Sequence, residues 1–286
     1  MSKVRKAVFP AAGIGSRFLP ITKTAPKEML PLVDRPIIQY VVEEALAAGI
    51  EQIILVTNYT KRAVEDYFDT NYELEMRLEQ SHKFDALHLV RNIIPPGVDV
   101  VYVRQPQPLG LGDAVLRAKS VVGDEPFAVL LADDIIQHQG KNCLQQMLDI
   151  YAQTKSSVLA VESVPDSETH QYGIVAVNNA VELKILDMIE KPGLGQAPSN
   201  LAVVGRYVLT PDIFDLLAAT QKGAGGEIQL TDAIRMQLKR RDVHACLFVG
   251  ERYDCGSRLG FVKATIAHAL QREDLGQALR AYLNSI

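Results

Sequence analysis

Val8-Phe9-Pro10-Ala11-Ala12-Gly13-Ile14-Gly15-Ser16-Arg17-Phe18-Leu19-Pro20 decides the fold of this chain, with Lys23, Lys27 and Glu28-Met29-Leu30-Pro31 close behind it. The apolar run from Lys6 to Phe9 predicts a buried strand that stops at Pro10. Two small residues and two glycines follow, where backbone can approach a ligand with no Cβ in the way. Arg17 and Lys27 add fixed positive charge. Bare N–H groups beside two cations suit a polyphosphate, although the glycines alone would equally make a tight turn. No Gly-Lys-Ser/Thr closes the stretch as a Walker A loop would, and the third glycine of a dinucleotide fingerprint is missing.

Outward from that stretch, strand and helix patterns alternate. Pro36 opens a helix with Ile37, Ile38, Val41, Val42, Ala45 and Leu46 on its apolar side, closed by Gly49. Ile53-Ile54-Leu55-Val56 predicts a strand covered on both faces. Thr60 is placed to cap the next helix, and a long charged helix is expected over residues 73–92. Strand 98–104 leads into the Gln105–Gly112 loop and a helix over 113–122. Strand 127–132 ends in Asp133-Asp134. This βαβ rhythm predicts an α/β, Rossmann-like, mostly parallel mixed sheet flanked by helices. Ligands in such sheets sit beyond the carboxyl ends of strands, where Gly13–Arg17, Gln105–Gly112 and Asp133-Asp134 should converge.

After helix 143–153 and strand 157–164 the rhythm changes. Residues 172–177 and 183–191 predict paired antiparallel strands around Asn178-Asn179, followed by strand 201–209, a helix after Thr210-Pro211, and a flexible glycine-rich crossing at 223–226. A helix over 231–240 and a last strand, 245–249, follow; Tyr253-Asp254-Cys255-Gly256 ends it. A long amphipathic helix is expected from Arg258 to the C-terminus. With no repeats and no low-complexity linker, one domain is expected over 1–286, in two parts: 1–164, and 165–286 with a small antiparallel subregion and the C-terminal helix.

Composition narrows the function. A chain of 286 residues, 48% hydrophobic and 22% charged, has ample material for the core of a soluble enzyme. Its net charge of −4 and lack of a basic tract argue against a nucleic acid polymer as partner. A triphosphate would therefore need locally gathered cations or a borrowed divalent metal. Cys143, Cys246 and Cys255 form no C-x-x-C pair, which argues against a disulfide framework or structural zinc and fits a reducing compartment. The apolar run behind Lys3, Arg5 and Lys6 is too short for a signal peptide, and no 18-residue apolar segment exists. The expectation is a cytoplasmic protein without a membrane partner.

Three further positions invite chemistry, each with an ordinary alternative. Asp133 follows an apolar strand, where a buried carboxylate needs a metal or a cation, though aspartates also make turns and caps. Glu190-Lys191 at a strand end could be an exposed ion pair of little consequence. Gln105 could be a solvated amide, and Gly110 and Gly112 turn glycines.

Ala11-Ala12-Gly13-x-Gly15-Ser16-Arg17-x-Leu19-Pro20 with Pro26-Lys27-Glu28-Met29-Leu30-Pro31 resembles the signature of sugar-1-phosphate nucleotidylyltransferases, and the Lys-Glu-Met-Leu-Pro form resembles its bacterial uridylyl-transferring branch. The resemblance spans Lys6 to the Asp254 segment. It implies transfer of uridylyl from UTP to glucose 1-phosphate, giving UDP-glucose and pyrophosphate, with Mg²⁺ as cofactor and a homodimer or homotetramer as the assembly. It implies Asp133 and Asp254 as metal ligands, and Arg17, Lys27 and Lys191 as the catalytic cations. Ala11, Ala12, Gly13, Gly15, Gln105 and Gly110 would bind nucleotide, Gln105 by reading uracil. Asp134, Gly173, Glu190 and Val204 would face the sugar. Two positions depart from the pattern: Asp113 stands where a histidine is frequent, and Ala132 where a proline is. Asp113 brings a negative charge near the triphosphate.

The chemistry fits those residues. An anionic phosphate oxygen needs no general base, so the protein must suppress repulsion between polyanions and align attack on the α-phosphorus. A thymidylyltransferase of the same fold is the nearest alternative, separable by assaying dTTP. A non-catalytic UDP-glucose-binding regulator is disfavoured by the retained Lys27, Lys191, Asp133 and Asp254. A glycosyltransferase is disfavoured by Lys-Glu-Met-Leu-Pro and would release no pyrophosphate.

Overall fold

The computed structural model describes residues 3–223 and 226–286. Strands β1 (Lys6–Pro10), β4 (Gln52–Thr57), β5 (Asp99–Arg104) and β6 (Phe127–Leu130) are parallel and lie in the order β5-β4-β1-β6. The small hairpin β2 (Pro31–Leu32) and β3 (Arg35–Pro36) stands apart. The continuous apolar runs of β1, β4 and β6 have the cause anticipated above: alternate residues enter two different cores. Ala7, Phe9, Ile53, Leu55, Ala128 and Leu130 pack on the side of helices Ile37–Ala47 and Cys143–Thr154. Val8, Ile54, Val56, Phe127 and Val129 pack on the side of helices Leu111–Arg117, Ile213–Ala219 and Leu230–Leu238.

The chain order reverses between β1 and β6, which opens a crevice at their carboxyl ends. Beyond β6 the sheet becomes antiparallel. Strand β11 (Leu201–Leu209) runs against β6, β8 (Ser157–Ser163) and β9 (Gly173–Val177), and β10 (Ile185–Glu190) pairs with β9. Strand β12 (Val243–Leu247) closes the β8 edge in parallel. One mixed sheet thus carries both the parallel half and the antiparallel excursion.

Several boundaries differ from expectation. The strand predicted over 127–132 stops at Leu130, because residues 131–134 form a turn in which the Asp134 N–H reaches the Leu131 carbonyl at 3.4 Å. Asp134 starts a new strand, β7 (Asp134–Gln137), which pairs with β13 (Glu251–Asp254) in a separate antiparallel ribbon, with Asp134 opposite Asp254. The Tyr253-Asp254 stretch is therefore not the end of strand 243–247. The helix expected over 73–92 is two, Tyr72–Gln80 and Phe84–Arg91, broken at His82 with a positive φ of 54°. The C-terminal helix also breaks, into Arg258–Gln271 and Gly276–Leu283, where Arg272 turns extended and forks onto Asp274. Thr60 does not cap its helix; its hydroxyl bonds Asn58, and Lys61 holds the cap position. In the expected crossing at 223–226, residues 224 and 225 lie outside the described residues.

Candidate active site

The β1 loop leaves the sheet with Ala11 still tied to it, its N–H donating to the Val56 carbonyl at 2.8 Å. Asn58 donates to the Ala12 carbonyl at 2.6 Å. Gly15 has φ 74°, and a Cβ there would meet the Lys27 side chain at 3.1 Å and Thr22 at 3.2 Å. The loop thus folds back over the 27–29 turn, and glycine is required for that closeness. Gly13 has only ordinary contact with Lys27 and otherwise faces open space. The turn itself is anchored by Glu28, fully buried against an equally buried Lys61 at 2.8 Å.

This anchoring aims Lys27 at Asp133, 2.5 Å away. Burial works against the charge on Lys27, yet the Asp133 carboxylate and then Glu28 outweigh it and hold its pKa above the ordinary lysine value. Burial likewise works against the charge on Asp133, and Lys27 overcomes it, keeping the carboxyl below its usual range. Both groups stay ionised. Arg17 closes the same corner by donating to the Gly256 carbonyl at 3.1 Å.

Gly256, which sequence reasoning passed over, is where the two halves meet. A Cβ on it would stand 2.9 Å from Asp254 Oδ1, 3.0 Å from Asp133 Oδ2 and 3.2 Å from Arg17 Nη1. Two carboxylates and a guanidinium therefore crowd one small cradle. Burial and the neighbouring Asp134 charge push the Asp254 carboxyl up, against the opposing effects of Arg252 and the Gly256 N–H. Two convergent carboxylates with solvent on one side suit Mg²⁺, which takes one or two carboxylates and completes its shell with phosphate oxygens and waters. No cluster of three or more His, Cys, Asp or Glu ligands exists among the described residues, so an all-protein metal cage is not available.

Asp134 is held by its neighbours. Its Oδ2 accepts from the Gly205 N–H at 2.9 Å and its Oδ1 from Arg252 at 2.6 Å. A side chain at Gly205 would collide with this carboxylate, which explains the glycine in a strand interior. Arg252 also reaches Glu162 at 2.5 Å and lies over the Tyr172 ring. Beneath them, Arg206 is completely buried, ion-paired to Glu44 at 2.8 Å and donating to the carbonyls of Leu131, Asp134 and Gly205. It fixes the 131–134 turn that presents Asp133.

A cavity of about 450 Å³ opens from this corner. Arg17, Asp133, Asp134, Gly173, Glu190, Lys191, Val204 and Asp254 all line it, so eight of the positions singled out in the sequence meet there. Glu190 Oε2 accepts from Thr231 at 2.6 Å. Lys191 lies 3.9 Å from Glu190 and is 64% exposed, on a backbone with φ 44°. Ala11, Ala12, Gly13, Gly15, Gln105 and Gly110 do not line this cavity; Leu111, next to Gly110, does. Gln105 is buried, its amide nitrogen bonded to the Gly110 carbonyl at 3.1 Å and to Asp113 at 2.8 Å. The charge of Asp113, a concern for triphosphate binding, is shared with Arg117 at 2.8 Å. Gly110 and Gly112 are glycine because the 227–228 backbone passes close by: a Cβ at Gly112 would stand 2.7 Å from the Ile228 carbonyl oxygen. Sequence reasoning missed Arg252, Thr231 and Arg206. Arg252 had a usable signal, a cation two residues before Asp254 on one strand. Arg206 had none beyond an arginine inside an apolar strand.

Residues 6–271 match the nucleotidyl transferase family, and the chain belongs to it. It is 50% identical, over its full length, to the UTP--glucose-1-phosphate uridylyltransferases of Staphylococcus epidermidis and Bacillus subtilis, of which it covers 99% and 98%. A UTP-bound UGPase from Acinetobacter baumannii matches with a TM-score of 0.93 at 48% identity, over 99% of this chain and 100% of that one. A UDP-glucose pyrophosphorylase complexed with UDP-glucose matches with a TM-score of 0.86 at 48% identity, over 94% of this chain and 100% of that one.

Proposed function

We propose that this nucleotidyltransferase converts UTP and α-D-glucose 1-phosphate to UDP-glucose and pyrophosphate. The observation that carries it is one cavity at the ends of β1 and β6 that brings together Arg17, Asp133, Asp254, Glu190 and Lys191. An oxygen of the sugar phosphate attacks the α-phosphorus of UTP, and the bond to pyrophosphate breaks opposite it. Lys191 holds the incoming phosphate, and Glu190, Asp134, Gly173 and Val204 form the wall for the hexose. Arg17 and Lys27 offset charge on the α-phosphoryl group and the leaving pyrophosphate. Ala11, Ala12, Gly13 and Gly15 bring bare backbone to the triphosphate, and Gln105 with Gly110 takes the base. Asp133 and Asp254 would hold Mg²⁺, which when bound neutralises charge between the two polyanions.

We read residues 1–286 as one domain, with nucleotide bound by the 1–164 part and sugar phosphate by the rest. No helix of the described residues is long and apolar enough to cross a membrane. A cytosolic location is supported by three buried free thiols, and a homodimer or homotetramer by the family resemblance. The deciding assay incubates the purified chain with Mg²⁺, glucose 1-phosphate and equimolar UTP and dTTP, then separates the products. UDP-glucose and pyrophosphate should dominate. Faster consumption of dTTP would make the chain a thymidylyltransferase, and no pyrophosphate would remove the reaction class.

A further inference from the structure

Gln105 holds its side-chain amide in one orientation for a reason visible around it. Its Nε2 carries two hydrogens, and both are taken, one by the Gly110 carbonyl at 3.1 Å and one by Asp113 Oδ2 at 2.8 Å. Both partners only accept, so turning the amide over would set Oε1 against two oxygens. Asp113 is itself buried and fixed, its Oδ1 accepting from Arg117 at 2.8 Å. Among the described residues nothing donates to Gln105 Oε1. The amide therefore offers a ligand one pole, a carbonyl oxygen.

We infer that Asp113 is a specificity-determining positioning residue: it locks Gln105 so that the base slot presents an acceptor and no donor. This rests on Gln105 being the group that meets the base. A pyrimidine with an N3–H, as in uracil, donates to Oε1. Cytosine has a lone pair at N3 and sets acceptor against oxygen there, so it can pair with Oε1 only by shifting to present its 4-amino group. Thymine shares the uracil edge, so the lock passes dTTP and rejects CTP. Asp113, one of the two departures from the family pattern, thus acts through Gln105 and not on the phosphates.

The test is the ratio of kcat/KM for UTP to that for CTP, measured in competition, with thermal unfolding of each variant as the check on folding. Asp113→Asn preserves shape but changes the donor pattern. Arg117 can only donate, so the new amide turns its oxygen to Arg117 and its NH₂ to Gln105. That opposes the native orientation, and the UTP-to-CTP ratio should fall about tenfold or more. Removing the guanidinium in Asp113→Asn/Arg117→Ala frees the asparagine oxygen to face Gln105 again, and the ratio should recover towards wild type. Asp113→Ser serves if Asp113→Asn does not fold; it keeps no charge and should lower the ratio too. A folded Asp113 variant with the wild-type ratio, alongside a lowered ratio in Gln105→Ala, overturns the lock alone. An unchanged ratio in Gln105→Ala overturns the base-slot assignment beneath it. No recovery in the double variant overturns the proposed orientation.

Discussion

The two lysines proposed to meet the phosphates are mounted in opposite ways. Lys27 sits on a turn anchored by the buried Glu28–Lys61 pair and touches Asp133 at 2.5 Å, with 24% of its side chain exposed. Lys191 follows β10 on a left-handed backbone, 64% exposed and 3.9 Å from Glu190. The first charge is already neutralised and must be shared with an arriving ligand. The second is free to capture one. This asymmetry suits a site where one polyanion is threaded into a built corner and the other is drawn in from solvent.

Breaking the mounting of Lys27 should have the largest effect. Lys61→Met leaves Glu28 buried without its partner and should destabilise the chain by about 3–5 kcal/mol, read from denaturant unfolding. A loss below 1 kcal/mol would mean the pair does not anchor the turn. Next comes the carboxylate that Lys27 faces. Asp133→Asn should lower kcat by ~10²-fold or more at saturating Mg²⁺, because it removes half of the ion pair and, on the proposed reading, a metal ligand as well. Near-normal turnover would reject its role. Lys191→Ala should give the smallest of the three effects, roughly tenfold in kcat/KM for glucose 1-phosphate, through both KM and kcat. UTP binding alone should change much less; equal losses for both substrates would point to damage beyond the site.

The 1–164 part was legible as strands more than as a site: Ala11, Ala12, Gly13, Gly15, Gln105 and Gly110 do not line the cavity. The apolar runs of β1, β4 and β6 announce themselves, and the strand order sets the β1 loop beside the turn that follows β6. The 165–286 part was legible as residues but not as geometry. Nothing local says that Asp254 opposes Asp134 in a separate ribbon, because the 251–254 strand is polar and pairs with residues 117 positions or so away. Arg206 and Arg252 were hidden for a related reason. Each gains its meaning from carboxylates and carbonyls distant in sequence, and periodicity sees only neighbours. The helix break at His82 fell to local backbone geometry, with no glycine or proline to signal it, whereas the break after Gln271 had a signal in Gly276, which packs against the Leu270 carbonyl.

Both halves converge at Gly256, where Asp133, Asp254 and Arg17 crowd together. Titrating Mn²⁺ into the protein with UTP, followed by electron paramagnetic resonance, tests that convergence without relying on turnover. Wild type should bind the ion more tightly than UTP does alone, and Asp133→Asn and Asp254→Asn should each weaken it roughly tenfold or more. Unchanged affinity in both variants would contradict a metal site shared between the two halves.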